Sequence, residues 1–130
     1  TINNIELYDD FAHHPSAIQT TLDGLKKLIS EGRIVAVIEP RSNTMKLGTM
    51  KNYLIESLRA ADATFCYANN LSWDAHKLFK DVSNTDVYEN VDQLAEKIAQ
   101  FSQSGDKIIF MSNGSFSGLQ SKVAKALNHE

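Results

Sequence analysis

The fold is decided by a short stretch of sequence, Ile34-Val35-Ala36-Val37-Ile38. All five residues are apolar and four are β-branched, a composition that favours a strand. A half-exposed strand alternates apolar and polar residues, whereas an unbroken apolar run is typical of a strand buried on both faces of a parallel sheet. The stretch therefore predicts a strand inside such a sheet.

Short strands and helical stripes alternate on both sides of this stretch. Before it, the pattern predicts a strand over 5–8 and then a helix with Pro15 in its first turn. The apolar stripe of that helix consists of Ile18, Leu22, Leu25 and Leu28. After the stretch we expect, in order, a helix over 47–61, a strand over 64–68, a weaker helix after Ser72, a strand over 86–88, a helix capped by Asn90, a strand over 108–112 and a helix carrying Leu119, Val123 and Leu127. Regular β-α alternation predicts a Rossmann-like three-layer α/β domain, with a mostly parallel sheet and helices on both faces.

Length and composition limit what this domain can do. With 130 residues and 42% hydrophobic residues, the chain fits one domain. The formal net charge of -3 argues against nucleic acid as a partner. The single cysteine, Cys66, excludes a disulfide framework and a four-cysteine zinc site, and we expect it to be a buried apolar residue. No apolar run approaches the ~20 residues that span a bilayer, and no signal peptide opens the chain, so we expect a soluble cytoplasmic protein without a membrane partner.

Ligands of such folds bind at the carboxyl ends of the strands, where three polar segments follow predicted strands. The first is Asp9-Asp10-Phe11-Ala12-His13-His14-Pro15. Its two carboxylates and two imidazoles could hold ribose hydroxyls, a metal-bound phosphate or a polar substrate. A solvated loop in which His14 caps the helix is the alternative, and composition alone does not decide between them.

The second segment is Glu39-Pro40-Arg41-Ser42-Asn43-Thr44-Met45-Lys46. Arg41 can hold a carboxylate or phosphate through two parallel hydrogen bonds. Ser42, Asn43 and Thr44 add donors near a predicted helix N-terminus, where the helix dipole favours anions. The cluster indicates an anion site; the alternative is that Ser42 or Thr44 only caps the helix and Arg41 lies on the surface.

The third segment is Ser112-Asn113-Gly114-Ser115-Phe116-Ser117-Gly118. Gly114 and Gly118 would let backbone N–H groups approach a ligand closely. The alternative is a capping turn, with Ser117 and Gln120 as a capping box. No G-x-x-x-x-G-K-[ST] loop occurs in the chain, and no G-x-G-x-x-G follows the first strand, so a self-contained nucleotide site is not expected.

Acids after a first strand also suggest a phosphoacceptor receiver domain. That class needs a phosphorylatable aspartate at the end of the third strand and a lysine at the end of the last. Here those strands end in F-C-Y-A at 65–68 and F-M-S-N at 110–113. The receiver interpretation is therefore disfavoured.

The motif D-D-F-A-H-H-P at 9–15, followed by a helix and by a strand leading into E-P-R-S-N-T-M-K at 39–46, resembles the C-terminal domain of the Mur ligase family. These enzymes are ATP-dependent amide ligases of peptidoglycan synthesis. Together with S-N-G-S-F-S-G at 112–118, the motifs look most like the branch that joins UDP-N-acetylmuramate to L-alanyl-γ-D-glutamyl-meso-diaminopimelate during wall recycling. The resemblance runs from residue 5 to about residue 127.

The resemblance implies a three-domain enzyme of which residues 1–130 are the third, amine-substrate-binding domain. The N-terminal UDP-sugar domain and the central ATPase domain would lie outside this chain, and ATP and Mg²⁺ would be bound mainly by the central domain. In that family the sugar's carboxylate is activated as an acyl phosphate and then attacked by the substrate amine, a reaction that depends on positioning and charge neutralisation. The fragment alone is not expected to catalyse it. Its partners would be the murein tripeptide, UDP-N-acetylmuramate and the two missing domains.

The same resemblance assigns roles to individual positions. Asp10 and His13 match residues that face ATP. The substrate side would be formed by His14, Arg41, Ser42, Asn43, Thr44, Ser115, Phe116, Ser117 and Gly118. The resemblance assigns no metal ligand and no catalytic residue to this fragment.

Three other interpretations stay open from the sequence. One is the branch of the family that adds L-alanine to UDP-N-acetylmuramate. The others are a stand-alone Rossmann-type module that binds a nucleotide or metabolite, and a noncatalytic interaction domain.

Overall fold

The computed structural model describes residues 4–10, 15–28, 32–39, 48–68, 75–111 and 118–128. In this part of the chain, strands and helices alternate as the sequence predicts. Their bounds are β1 Glu6–Asp10, α1 Pro15–Leu28, β2 Ile34–Ile38, α2 Gly48–Ser57, β3 Ala63–Tyr67, α3 Ala75–Phe79, β4 Thr85–Tyr88, α4 Val91–Phe101, β5 Lys107–Met111 and α5 Leu119–Asn128.

The described strands form one sheet in the order β1-β5-β2-β3-β4, and every neighbouring pair is parallel. The decisive stretch is β2, which has β5 on one side and β3 on the other. All five of its residues are buried, as expected for a strand covered on both faces. The predicted fold class is confirmed.

The strand order decides which face each helix covers. The connections from β1 to β2, β2 to β3 and β3 to β4 step in one direction across the sheet, and the connection from β4 to β5 returns. Right-handed crossovers place helices on opposite faces when the direction reverses. Accordingly, α1, α2 and α3 pack on one face, and α4 and α5 pack on the other.

Alternating strand residues supply the two cores. Val35 and Val37 contribute to the core under α4 and α5, whereas Ile34, Ala36 and Ile38 contribute to the core under α1, α2 and α3. The predicted stripes of α1 and α5 fill these cores, except at one position.

The exception is Leu28, which the sequence places on the buried stripe of α1 but which is 85% exposed. Ile18, Leu22 and Leu25 of the same stripe are buried. At about 100° per residue, Leu28 lies roughly 90° from the centre of that stripe. It therefore falls outside the face that contacts the sheet, and the prediction was wrong at this position.

Two predicted boundaries differ from the structure by more than one residue. β1 begins at Glu6 and runs through Asp10, so Asp9 and Asp10 are strand residues rather than loop residues. α2 ends at Ser57 instead of continuing to Ala61. The Ser57 hydroxyl donates to the Leu54 carbonyl oxygen at 2.7 Å, and a tight turn follows in which the Ala61 N–H bonds the Leu58 carbonyl oxygen. Ser57 thus offers the backbone an alternative to a continued helix.

A partly buried ion pair joins the residues that precede β2 and β5, at the amino edge of the sheet. The Arg33 Nε and one terminal nitrogen donate to the two carboxylate oxygens of Asp106 at 2.9 and 2.7 Å. Asp106 is 1% exposed and also accepts from the Gln103 N–H. The hydrogen bond to Asp106 raises the pKa of the Arg33 guanidinium, which lies 4.2 Å from the centre of the Phe101 ring. This pair fixes β2 against β5.

None of the described helices is long and apolar enough to cross a membrane.

Candidate functional site

The strand order brings together the strand ends at which the three polar segments begin. β1, β5 and β2 are neighbours, and Asp10, Met111 and Ile38 are partners in register at their carboxyl ends. Neighbouring strands lie about 5 Å apart, so the backbones of Asp10 and Ile38 are about 10 Å apart. The three segments that start at residues 11, 39 and 112 therefore follow strand ends that lie side by side.

The two adjacent carboxylates of β1 are not equivalent. Successive side chains of a strand point to opposite faces. Leu7 packs against the core under α4 and α5, so Asp9 shares that face and Asp10 lies on the face of α1. Asp9 is exposed, whereas Asp10 is half-buried. Of the pair, Asp10 is the one held within the protein at the carboxyl edge, next to the last residue of β5.

Glu39 is a candidate residue to which sequence reasoning assigned no role. It directly follows β2 and is 7% exposed, and its N–H bonds the Met111 carbonyl oxygen at 3.3 Å. Carboxylates this buried are rare in proteins and are retained with partners. The sequence feature that could have identified Glu39 is its position, because it is a charged residue directly after a strand that contains no polar residue.

Gly118 is the one predicted substrate-side residue that the structure describes. It is exposed, with a φ of +77°, a conformation that favours glycine. An open depression of about 330 Å³ lies beside it between β1 and α5, lined also by Leu7, Gln120, Ser121 and Ala124. The backbone conformation thus favours glycine here, and contact of Gly118 with a substrate remains a prediction.

The other predicted site residues lie outside the described part of the chain. They are His13, His14, Arg41, Ser42, Asn43, Thr44, Ser115, Phe116 and Ser117. Their roles remain those that the sequence predicts.

The chemistry of Cys66 agrees with its predicted structural role. The residue is fully buried in β3, and this burial raises the pKa of its thiol. A nucleophilic cysteine needs a thiolate in an accessible, electropositive place. Cys66 is therefore a packing residue. Within the described ranges, no three His, Cys, Asp or Glu side chains cluster as metal ligands.

A family model described as "Mur ligase, glutamate ligase domain" matches residues 1–114. The chain belongs to the Mur ligase family. The match covers β1 to β5 and includes the segments after β1 and β2, so the resemblance seen in the strand-end motifs is confirmed.

Curated members of the Mur ligase family differ in their similarity to this chain. A UDP-N-acetylmuramate–L-alanyl-γ-D-glutamyl-meso-2,6-diaminoheptandioate ligase from Haemophilus influenzae is 43% identical over 97% of the chain and 28% of that relative. A UDP-N-acetylmuramate–L-alanine ligase from Caldicellulosiruptor saccharolyticus is 33% identical over 87% of the chain and 27% of that relative. The chain spans less than a third of the length of either relative.

Solved structures of the Mur ligase family show the same fold. A murein peptide ligase from Psychrobacter arcticus superposes with a TM-score of 0.89 at 39% identity, over 99% of this chain and 28% of that one. A domain of a UDP-N-acetylmuramate:L-alanyl-γ-D-glutamyl-meso-diaminopimelate ligase homologue from Haemophilus ducreyi superposes with a TM-score of 0.83 at 37% identity, over 98% and 94% of the two chains. The second structure is a domain of the size of this chain.

Proposed function

We propose that this chain is the C-terminal, amine-substrate-binding domain of an ATP-dependent amide ligase. The enzyme joins L-alanyl-γ-D-glutamyl-meso-diaminopimelate to UDP-N-acetylmuramate in peptidoglycan recycling. The observation that carries the proposal is the adjacency of β1, β5 and β2, because the three segments whose motifs resemble this branch begin at the carboxyl ends of these strands. The 43% identity to the relative from Haemophilus influenzae supports it.

The reaction needs more than this domain. The chain contains no Walker loop and covers 28% of the Haemophilus influenzae relative. We assign the UDP-sugar to an N-terminal domain, and ATP with Mg²⁺ mainly to a central domain. This domain would close over the nucleotide and present the tripeptide amine to the activated carboxylate. Its contribution is positioning, which converts a bimolecular step into an effectively unimolecular one.

Within this domain, we assign the two sides of the site to different segments. Asp10 and His13 face the nucleotide. His14, Arg41 and the hydroxyl and amide groups at 42–44 face the tripeptide, as do residues 115–118. The tripeptide carries several carboxylates, which suit the planar guanidinium of Arg41 and the backbone N–H groups of helix N-termini.

The test is an amine-substrate comparison with the full-length enzyme. ADP release is measured with UDP-N-acetylmuramate and ATP in the presence of the tripeptide or of L-alanine, with reactions lacking UDP-N-acetylmuramate as the control. We expect ADP release that depends on the tripeptide and on the sugar nucleotide. A preference for L-alanine would assign the chain to the other branch, which its 33% identity to an L-alanine ligase keeps as the second candidate. If neither the tripeptide nor L-alanine supports ADP release, both assignments are wrong.

A further inference from the structure

A half-open cleft of about 280 Å³ lies at the amino edge of the sheet, opposite the proposed active site. It is formed between the residues after α2, the start of β3 and the turn from α3 to β4. β3 has five residues, so the two edges of the sheet are about 16 Å apart. The proposed ligase reaction does not use this cleft.

One side of the cleft is apolar, and the other is formed by polar residues, among them Ser83, Asn84 and Thr85. Leu58 follows α2 and is 7% exposed, and Phe79 ends α3 and is 2% exposed. Ile55, Ala61 and Val82 add partly buried apolar surface. This apolar side suits the body of a small apolar molecule.

One polar residue of the lining is buried. Thr64 lines the cleft and is 4% exposed. Its backbone N–H bonds the Asn84 carbonyl oxygen at 2.8 Å, but its hydroxyl has no hydrogen-bond partner among the described residues. A buried hydroxyl without a partner is costly, and a ligand atom in the cleft would remove that cost.

The charge around the cleft disfavours an anionic ligand. The one cation in its lining, Arg59, is largely exposed and already pairs with Glu56 at 2.9 Å. α2 and α3 both end at this edge, and the carboxyl end of a helix carries partial negative charge. An anion would meet a neutralised arginine and two unfavourable helix ends.

We propose that this cleft is a second binding site, for a small neutral molecule with an apolar ring or branched chain and one hydroxyl group. The apolar body packs between Leu58 and Phe79, and the ligand hydroxyl bonds the hydroxyl of Thr64. The proposal is independent of the ligase assignment.

The test is an NMR titration of the 130-residue chain with phenol as the probe; a domain of this size from Haemophilus ducreyi has its own crystal structure. We expect saturable amide shifts at Thr64, Val82 and Thr85, with phenol binding at least about fivefold more tightly than toluene or benzoate. Thr64→Val should weaken phenol binding about tenfold, the effect of one lost hydrogen bond, and leave toluene binding unchanged. Thr20→Val is the matched control, because Thr20 is exposed on α1 and bonds the Ser16 carbonyl oxygen.

A melting experiment on the same variants tests whether the buried hydroxyl of Thr64 lacks a hydrogen-bond partner in the free domain. Thr64→Val removes a buried hydroxyl without a partner, so the melting temperature of the free domain should stay equal or rise, while stabilisation by phenol is lost. Ala61→Leu fills the cleft and should abolish the phenol shifts. The proposal is wrong if phenol causes no saturable shifts at the cleft, or if it binds wild-type and Thr64→Val with equal affinity.

Discussion

Asp9 and Asp10 show how much the position of a single residue depends on the sheet. The sequence indicates that two acids meet the end of the first strand, but it places them in the loop beyond it. In the structure both are strand residues, and the pleat leaves Asp9 exposed while Asp10 is half-buried. The faces that Asp9 and Asp10 take could be predicted from the sequence only if the last residue of the strand were known.

This difference gives a matched pair of variants for the full-length enzyme. If Asp10 faces ATP, Asp10→Ala should raise the KM for ATP at least about tenfold, because a hydrogen bond to a charged group is lost. Asp9→Ala removes the neighbouring carboxylate on the opposite face and should change this KM less than about threefold. Steady-state kinetics at varied ATP measure both. Equal KM values for the two variants would remove Asp10 from the nucleotide side of the site.

Cys66 gives the stability of the domain a defined pH dependence. Burial raises the pKa of its thiol above the ordinary value of about 8.5, so the folded state keeps a proton that the unfolded state loses. Above about pH 8.5 unfolding therefore releases a proton, and the free energy of unfolding falls by about 1.4 kcal/mol per pH unit. Below that pH the contribution of the thiol is fully present.

Urea unfolding at pH 7 and pH 10 measures this effect, with Cys66→Ala as the reference. Other alkaline titrations are common to both proteins, so the difference in unfolding free energy between them isolates the thiol. That difference should shrink by about 2 kcal/mol between the two pH values, which follows from about 1.5 pH units above the ordinary pKa. A difference independent of pH would mean that the thiol is accessible to water.

At the level of helices and strands, the sequence predicts what depends on local pattern. The unbroken apolar stretch at 34–38 predicts the correct bounds of β2. The predicted cap of α4 is also correct, because the Asn90 side chain accepts a hydrogen bond from the Gln93 N–H. The exposure of Leu28 could not be predicted, because it depends on where the sheet lies. The early end of α2 could not be predicted either, because it depends on the hydroxyl of Ser57.

The pairing of Arg33 with Asp106 depends on contacts distant in sequence, because 73 residues separate the partners. Asp106→Ala would leave the Arg33 Nε and the Gln103 N–H without their acceptor, while a terminal nitrogen of Arg33 keeps its hydrogen bond to the Phe101 carbonyl oxygen. We expect a loss of about 2–4 kcal/mol in unfolding free energy, somewhat below the usual cost of breaking a buried pair, because 31% of the Arg33 side chain is exposed.

The exposed ion pair between Lys122 and Asp92, at 2.8 Å, provides the control. Asp92→Ala should cost less than about 1 kcal/mol, because water screens this pair. Urea unfolding of both variants tests the contrast. Similar losses of unfolding free energy in the two variants would show that the burial of Asp106 does not strengthen its pairing with Arg33.

For the molecule as a whole, the sequence predicts which segments carry chemistry but not that they are neighbours. β-α alternation fixes the hand of each crossover and leaves the order of the strands open. The insertion of β5 between β1 and β2 places the strand ends Asp10, Met111 and Ile38 in one row. Arg41, His13 and the other residues assigned by resemblance were found from motif alone, whereas Glu39 emerged only from its burial.

The central place of β5 also sets the order of events during synthesis. In the described sheet, β1 has β5 as its one neighbour, although nearly a hundred residues separate the two strands in sequence. A nascent chain can pair β2, β3 and β4 as they emerge, but β1 waits for residues 107–111 to leave the ribosome. The proposed active site therefore cannot be complete before β5 has formed. The strand ends at which its three segments begin form one row only when β5 lies between β1 and β2.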